Sequence, residues 1–201
     1  MYSAARKEFD DRDWATLSNA PSSASACPFE HFDRWFIDAV NAGVQQAGSM
    51  VLATATPAGE PSARIVTLHG LRPSGLTFIT VSGSRKFREI SENPKAALLF
   101  YWKELERQIR IEGTVTAIPN DDRLTHEAAE YERFESRGHI AKMFSERMDL
   151  WTKGESVDPI SWQQFELRPA TFEFWEGSAD GGRTRTFYRR TSGERFTKEG
   201  S

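Results

Sequence analysis

Residues 61–115 have the sequence PSARIVTLHGLRPSGLTFITVSGSRKFREISENPKAALLFYWKELERQIRIEGTV. β-Branched and apolar residues dominate two runs in it, Ser62 to Leu68 and Leu76 to Val81, as is typical of β-strands. Pro73-Ser74-Gly75 lies between the two runs and is a turn signal. The pattern therefore predicts that these two runs pair as a β-hairpin.

A helix start with two cations follows the second run. Ser84 is a candidate N-cap, and Phe87 and Ile90 supply an apolar i, i+3 pair, so the sequence predicts that a helix begins here. The first N–H groups of a helix and the positive end of its dipole favour an anion, and Arg85 and Lys86 would add two positive charges. This pattern indicates a phosphate site, although the two cations taken alone are also compatible with a solvated helix terminus.

The neighbouring segments predict the elements that surround this stretch. Apolar residues recur at helical spacing from Pro28 to Gln46, which predicts a core-facing amphipathic helix. Ser49 to Thr56 is typical of a strand buried on both faces, and Pro57 to Glu60 predicts a turn after it. Apolar and polar residues alternate from Gln108 to Val115, which predicts that Gln108 lies on the polar or interface-facing side of a strand.

Short strands separated by turns and flanked by a few helices predict a mainly β (α+β) fold, an antiparallel barrel decorated by helices. The sequence contains neither a Rossmann glycine fingerprint nor a P-loop. The four histidines, His31, His69, His126 and His139, show no metal-ligand spacing with one another or with Cys27. We therefore expect no metal site.

The bulk composition fits one soluble domain. The chain has 201 residues, a net charge of −3 and a pI near 5.9, which give no overall attraction to nucleic acid or an anionic membrane. We expect a flexible N-terminal leader over residues 1–27 and a single domain over residues 28–201. The chain has one cysteine and no apolar signal region at its start, so we expect a cytoplasmic protein. The cationic and aromatic tail is interpreted as a terminal hairpin that turns at Ser192-Gly193.

The runs ARIVTLHG, GLTFIT, SGSRKFREI, NPKAALLFYW and ERQIRIEG resemble the FMN-binding core of the pyridoxine (pyridoxamine) 5′-phosphate oxidase family, which includes the phenazine-biosynthesis oxidases. The resemblance extends from Phe32 to about Gly113, lapses over Asp121 to Asp158, and resumes at Trp162 to Gly177 with WQQFELRPATFEFWEG. It implies an antiparallel FMN-binding split β-barrel, assembled as a homodimer with two FMN sites at the subunit interface.

The resemblance also implies which residues contact FMN. Those that align with FMN-contacting positions are Arg64, Ile65, Val66, Thr80, Arg85, Lys86, Gln108, Trp175 and Arg185. Their chemistry is consistent with this role, because arginine and lysine suit a phosphate and a glutamine amide can both donate to and accept from the pyrimidine edge of a flavin.

The expected substrate site departs from the pyridoxine phosphate pattern at two places. His69 stands where the family has a lysine, and Gly181-Gly182-Arg183 stands where it has the Arg-x-His pair that holds pyridoxine phosphate. Loss of that arginine removes a bidentate anion clamp, so we expect pyridoxine phosphate to bind poorly. A slip of one or two residues would instead place Arg183 and Arg185 on the Arg-x-His positions, and His69 is equally compatible with a solvent-facing strand end.

Two further substrate contacts are expected in less well matched parts of the chain. Arg6 aligns with an N-terminal arginine that folds over the substrate in the family, although an ordinary flexible terminus fits the same residues. Arg133 lies in the first of two helices predicted over residues 121–136 and 139–150, where a surface charge is the alternative. The predicted substrate contacts are therefore His69, Arg183, Arg6 and Arg133.

The resemblance implies an FMN-dependent oxidase that removes hydride equivalents from a small cyclic or aromatic amine-like substrate, with O₂ as the acceptor. The flavin would carry the chemistry, so no catalytic side chain is predicted. A cationic pocket with an altered phosphate clamp would suit a carboxylated phenazine-type precursor of secondary metabolism. The alternatives are a genuine pyridoxine/pyridoxamine 5′-phosphate oxidase of vitamin B6 synthesis and a flavin-binding protein without catalysis.

Overall fold

The structure is a computed structural model and describes residues 27–119, 162–177, 181–193 and 195–199. The predicted leader over residues 1–27, apart from its last residue, lies outside the described residues. The predicted helices over residues 121–136 and 139–150 lie outside them as well.

The described part of the chain forms antiparallel strands with helices among them. The elements are α1 (Pro28–Asn41), β1 (Ser49–Ala55), β2 (Pro61–Thr67), β3 (Gly70–Arg72), β4 (Gly75–Val81), α2 (Arg85–Glu92), β5 (Lys95–Trp102), a 3-10 turn (Lys103–Leu105), β6 (Arg107–Ile118), β7 (Trp162–Gly177), β8 (Arg183–Arg190) and β9 (Phe196–Glu199). This composition confirms the predicted mainly β fold with flanking helices.

Helix α1 ends earlier than the apolar pattern predicts. It stops at Asn41 because Gly43 takes the left-handed conformation with φ +75°. The N–H of Gly43 donates to the carbonyl of Val40, and that of Val44 donates to the carbonyl of Ala39, both at 3.0 Å. This is a Schellman termination, which satisfies the last carbonyl groups of the helix.

The strand order corrects the predicted hairpin. The sheet runs β2-β1-β5-β6-β7-β4-β3, with β8 on β7 and β9 on β8. The two runs expected to pair, in β2 and β4, lie near opposite ends of this path. Instead β2 pairs with β1 through the turn predicted at Pro57 to Glu60, and Pro73-Ser74 joins β4 to the short β3. The local pattern correctly predicts both strands, but it does not specify the partner of a strand.

Strand β7 is the longest strand and holds the sheet together. Its first part pairs with β4 and its second part with β8, while β6 pairs along nearly its whole length. The ladder between β6 and β7 shifts register between Glu112 and Gly113. A Cβ at Gly113 would collide with the backbone carbonyl of Arg168, so glycine is required for this close approach.

Register divides the sheet into two faces. Directly opposed residues of antiparallel strands point to the same side, and the row Leu52, Leu98, Ile111 and Phe172 is 0% exposed throughout. This core face also holds the aromatic side chains that α1 buries, among them Phe32 and Trp35. The adjacent row begins at Ile65, which is 63% exposed, and passes through Val51, Leu99 and Arg110. We call this second side of the sheet the outer face.

Candidate functional site

The N-terminus of α2 has the capped geometry that the sequence predicts. Ser84 is the N-cap, and its hydroxyl accepts a hydrogen bond from the N–H of Phe87 at 3.3 Å. Thr80, 1% exposed at the end of β4, places its hydroxyl 3.3 Å from that of Ser84. Arg85 and Lys86 occupy the first turn, and the Arg85 side chain is 65% exposed. The positive end of the helix and two cationic residues are thus brought together.

Arg64 of β2 reaches the same place from the sheet. It lies opposite Leu52 and so belongs to the core face, where α2 covers this end of the strand. Its Nη2 lies 2.9 Å from Oε2 of Glu89 on α2. Arg85 donates from Nε to the other oxygen of the same carboxylate, Oε1, at 2.7 Å. One carboxylate therefore holds two arginines that are distant in sequence.

Glu89 is the buried centre of this arrangement. Its side chain is 5% exposed, and its Oε2 also accepts from the hydroxyls of Thr54, at 2.5 Å, and Ser62, at 2.6 Å. Burial on its own would raise the pKa of Glu89, but the hydrogen bonds from Ser62, Thr54, Arg85 and Arg64 lower it to about 2. The carboxylate is therefore charged at neutral pH. We call Arg64, Arg85 and Glu89 the arginine cluster.

A second group of predicted residues forms a row across β6, β7 and β8. Gln108 lies directly opposite Trp175, and Trp175 lies directly opposite Arg185. Tyr101 of β5, opposite Gln108 and 59% exposed, extends the row. Two residues before Arg185, at the start of β8, Arg183 lies opposite Gly177 and points to the same side. These side chains all belong to the outer face, and we call Gln108, Trp175 and Arg185 the cross-strand row.

Arg185 is fixed within this row by a buried carboxylate. Its Nε lies 3.0 Å from Oε1 of Glu173, whose side chain is 8% exposed. Arg110 pairs with the other oxygen of Glu173. Arg185 nevertheless remains 56% exposed, so it is oriented and still accessible to an anion.

On the reverse side of the sheet, Arg107 supports the row. It donates to Glu176, its cross-strand neighbour, at 2.7 Å and to Asp38 of α1 at 2.8 Å. Its guanidinium carbon also lies 4.6 Å from the centroid of the Trp35 ring. Arg107 therefore ties α1, β6 and β7 together beside Gln108 and Trp175.

The structure thus places the predicted cofactor residues in two separate groups. Arg64, Thr80, Arg85 and Lys86 gather around α2, whereas the cross-strand row lies on the outer face. Ile65 of β2 points to the outer face and is exposed, while Val66 is 8% exposed and belongs to the core. Among the described residues, the two groups lie on different sides of the sheet.

The predicted substrate residues are divided in the same way. Arg183 is exposed and lies beside the cross-strand row. His69 follows β2, and its backbone N–H donates to the carbonyl of Thr77 at 2.8 Å, which ties it to β4. Arg6 and Arg133 lie outside the described residues. Their contact with substrate, and that of His69 and Arg183, stays a prediction.

Sequence reasoning missed the acceptors that orient the cations. Glu89 follows Arg85 by four residues on α2, and this i, i+4 spacing was a usable signal for their pairing. No local signal connects Glu89 with Arg64, since 25 residues separate them. Glu173 and Tyr101 were missed for the same reason, because their roles depend on cross-strand register.

The described residues contain no group of three or more His, Cys, Asp or Glu side chains arranged to hold a metal ion. A shallow groove of about 460 Å³ lies beside β1, β5 and β6. Five of its eleven lining residues are alanines, among them Ala53 and Ala97, and none is a predicted cofactor residue. Among the described helices, none has the length and apolar character needed to span a membrane.

The chain is similar to known proteins over most of its length. Residues 36–176 match the family model described as pyridoxamine 5′-phosphate oxidase. The pyridoxine/pyridoxamine 5′-phosphate oxidase of Rubrobacter xylanophilus is 37% identical over 89% of this chain and 88% of its own length. The enzyme of the same name from Paraburkholderia phymatum is 39% identical, over 85% of this chain and 86% of its own.

Solved structures agree with these sequence matches. PhzG from Burkholderia lata 383, in complex with tetrahydrophenazine-1-carboxylic acid, superposes with a TM-score of 0.66 at 25% identity and covers 94% of this chain and 96% of its own. A pyridoxamine 5′-phosphate oxidase-related, FMN-binding protein from Nostoc punctiforme has a TM-score of 0.59 at 22% identity, with 87% and 97% coverage, and shows the same fold. The architecture is the predicted split β-barrel, and the chain belongs to the pyridoxamine 5′-phosphate oxidase family.

Proposed function

We propose that this protein is an FMN-dependent oxidase. The observation that carries the proposal is the exposed, oriented Arg85 at the capped start of α2, next to Lys86 and the Arg64–Glu89 pair. A dianionic phosphate would meet helix N–H groups, the accessible outer N–H groups of Arg85 and a net positive charge there. The donor set therefore fits the phosphate of FMN.

We further propose that the FMN site is completed by a second copy of the chain. The arginine cluster lies where α2 covers the core face and the cross-strand row lies on the outer face, so the described residues of one chain supply two halves on different sides of the sheet. A twofold dimer would bring the phosphate half of one protomer to the cross-strand row of its partner, and it would do so twice. The exposed Ile65 on the outer face is consistent with an apolar contact there.

In this arrangement the residues have distinct tasks. Arg85 and Lys86 would hold the phosphate, and the Gln108 amide would donate to and accept from the polar edge of the ring system. Trp175 would cover the ring and exclude water, while Arg185, oriented by Glu173, would place a fixed positive charge near it. FMN, when bound, supplies the acceptor for a hydride equivalent, and O₂ is the proposed final acceptor.

For the substrate, we propose a cyclic or aromatic amine-like compound that carries a carboxylate. Arg183 is exposed beside the cross-strand row and offers a bidentate partner for such a group. PhzG, in complex with tetrahydrophenazine-1-carboxylic acid, supports a substrate of this kind. His69 is the second proposed contact.

A second candidate substrate is pyridoxine or pyridoxamine 5′-phosphate. The relatives of 37% and 39% identity carry that name, and they cover most of the chain. Arg183 and Arg185 both point to the outer face, two residues apart, so a shifted register would give a phosphate clamp at the same place.

The experiment is to add a candidate substrate to the FMN-loaded protein in the absence of oxygen. Reduction of the flavin is measured as the loss of its absorbance. Bleaching by a reduced phenazine carboxylate, with peroxide formed when air is admitted, would support the first substrate class. Bleaching by pyridoxine 5′-phosphate would support the second. FMN that binds but is reduced by neither compound would favour a non-catalytic flavin carrier, and failure to bind FMN would overturn the proposal as a whole.

A further inference from the structure

We propose that Glu89 is a positioning residue that holds Arg64 and Arg85 for a terminal phosphate and thereby sets a preference for FMN over riboflavin. This inference rests on the proposed FMN site. It assigns the preference to a carboxylate, a group that would itself repel a phosphate, so the sign of its effect can be tested.

The geometry gives Glu89 control of both arginines. Its two oxygens are divided between them, Oε1 to Arg85 and Oε2 to Arg64. The hydroxyls of Thr54 and Ser62 bind the same Oε2, so the carboxylate itself is held by β1 and β2. A rotation of the Glu89 side chain would break its contacts with β1, with β2 and with Arg85 on its own helix at once.

Arg85 benefits most from this restraint. A 65% exposed arginine would otherwise sample many rotamers, and ordering it on a ligand costs conformational entropy. With its Nε held by Glu89, that cost is met in the free protein. Its outer N–H groups are then presented in one orientation beside the helix start.

Arg64 is restrained more completely. Its Nη1 donates to the carbonyl of Leu52 at 3.2 Å and to the hydroxyl of Thr54, while its Nη2 donates to Glu89 and Ser62. The side chain is 21% exposed, so it acts at the edge of the site, chiefly through a fixed positive charge. Removing the carboxylate would leave this guanidinium without its only charged partner among the described residues.

Two effects of Glu89 on a bound phosphate therefore oppose each other. Its negative charge repels the phosphate, whereas its hydrogen bonds orient the two arginines that attract it. The arginine cluster keeps a net charge of about +1, because two guanidinium groups face one carboxylate. Two cations at hydrogen-bond distance already offset the negative charge of Glu89. The orientation of the arginines therefore outweighs the repulsion between Glu89 and the phosphate.

The substitution Glu89→Gln keeps the size of the side chain, removes the charge that repels a phosphate and replaces one acceptor oxygen with an NH2 group that cannot accept from an arginine. The sign of its effect on FMN binding therefore shows which of the two effects is larger. We would titrate wild type and variant with FMN and with riboflavin, following flavin fluorescence, since the two ligands differ only in the phosphate. The expected result is about tenfold weaker FMN binding with riboflavin binding changed less than about twofold. Tighter FMN binding, or an unchanged ratio of the two dissociation constants, would overturn the proposal.

The matched control is Glu92→Gln, an exposed carboxylate on the same helix, which should leave the ratio unchanged. If Glu89→Gln does not fold, Ser62→Ala removes one hydrogen bond to the carboxylate. It should weaken FMN binding about threefold relative to riboflavin binding. An unchanged ratio of the two dissociation constants would overturn the proposal. In an Arg85→Met background, Glu89→Gln should have a much smaller effect on FMN, because Glu89 acts largely through Arg85. Wild-type protein that binds no FMN would overturn the proposed function itself, which is a different result.

Discussion

Gln108 lies directly opposite Trp175 in the ladder between β6 and β7. The two side chains point to the outer face from neighbouring strands, and Arg185 continues their row on β8. An amide, an indole and a guanidinium are thus placed side by side by backbone pairing alone. The sheet, and not a loop, therefore fixes the part of the site that we assign to the flavin ring.

Substitution of Trp175 should weaken the binding of FMN and riboflavin equally. Trp175→Leu removes an aromatic surface from the proposed ring site and leaves the arginine cluster untouched, so the expected loss is about tenfold for both ligands. Fluorescence titration measures both constants, and Trp175→Phe should recover part of the affinity. A loss confined to FMN would place Trp175 near the phosphate and contradict the assignment.

Removal of Arg107 should destabilise the protein. Its side chain is 19% exposed and contacts two carboxylates and the Trp35 ring, so Arg107→Met leaves Asp38 and Glu176 without this cation. We expect the free energy of unfolding in urea to fall by about 1–3 kcal/mol. Arg189→Met is the matched control, because the Arg189–Glu199 pair is a surface ion pair and should contribute little. Equal effects of the two substitutions would show that Arg107 is not a structural anchor.

His31 should make stability depend on pH. Its ring stacks on Phe174, with centroids 3.8 Å apart and planes at 10°, and its Nδ1 lies 3.3 Å from the Tyr188 hydroxyl oxygen. Burial, followed by the charges of Arg34, Lys198 and Arg107, lowers the pKa of His31 from 6.5 to about 4. Between these two pKa values His31 therefore stays neutral in the folded protein, whereas it is protonated in the unfolded chain.

The sign of this effect follows from the lowered pKa. The contribution of His31 is fully present above pH 6.5 and is lost as the pH falls toward 4, with a slope of at most about 1.4 kcal/mol per pH unit. His31→Phe keeps a ring against Phe174 and cannot titrate. Urea unfolding at pH 7.5, 6 and 5 should show a smaller loss of stability for this variant than for wild type. Parallel curves would mean that the titration of His31 does not contribute.

Part of the fold and of the candidate site could be predicted from the sequence. The N-cap at Ser84 and the alternation around Gln108 are local patterns, and the structure confirms both. The pairing of β2 with β1, and the meeting of Arg64 with Glu89, depend on which distant segments become neighbours. Periodicity describes one strand at a time, so it assigned the wrong partner to β2 and missed the carboxylate that orients the arginines.

The proposed shared site predicts recovery of FMN binding when two defective variants are mixed. Arg85→Met damages the arginine cluster, and Trp175→Leu damages the cross-strand row, so each homodimer has two impaired sites. A mixed dimer has one site with both substitutions and one with neither. Random exchange of subunits makes about half of the dimers mixed, so about a quarter of all sites should regain wild-type affinity.

This recovery can be measured by unfolding and refolding the two variants together and titrating FMN at a concentration that occupies only intact sites. The same variants refolded separately and then combined at low temperature are the control, since their subunits have not exchanged. A mixture of Arg85→Met with Glu89→Gln should recover nothing, because both substitutions affect the same half of the site. If exchange is demonstrated and the first mixture also recovers nothing, then the two groups do not meet across a dimer interface, and the cross-strand row must have another role.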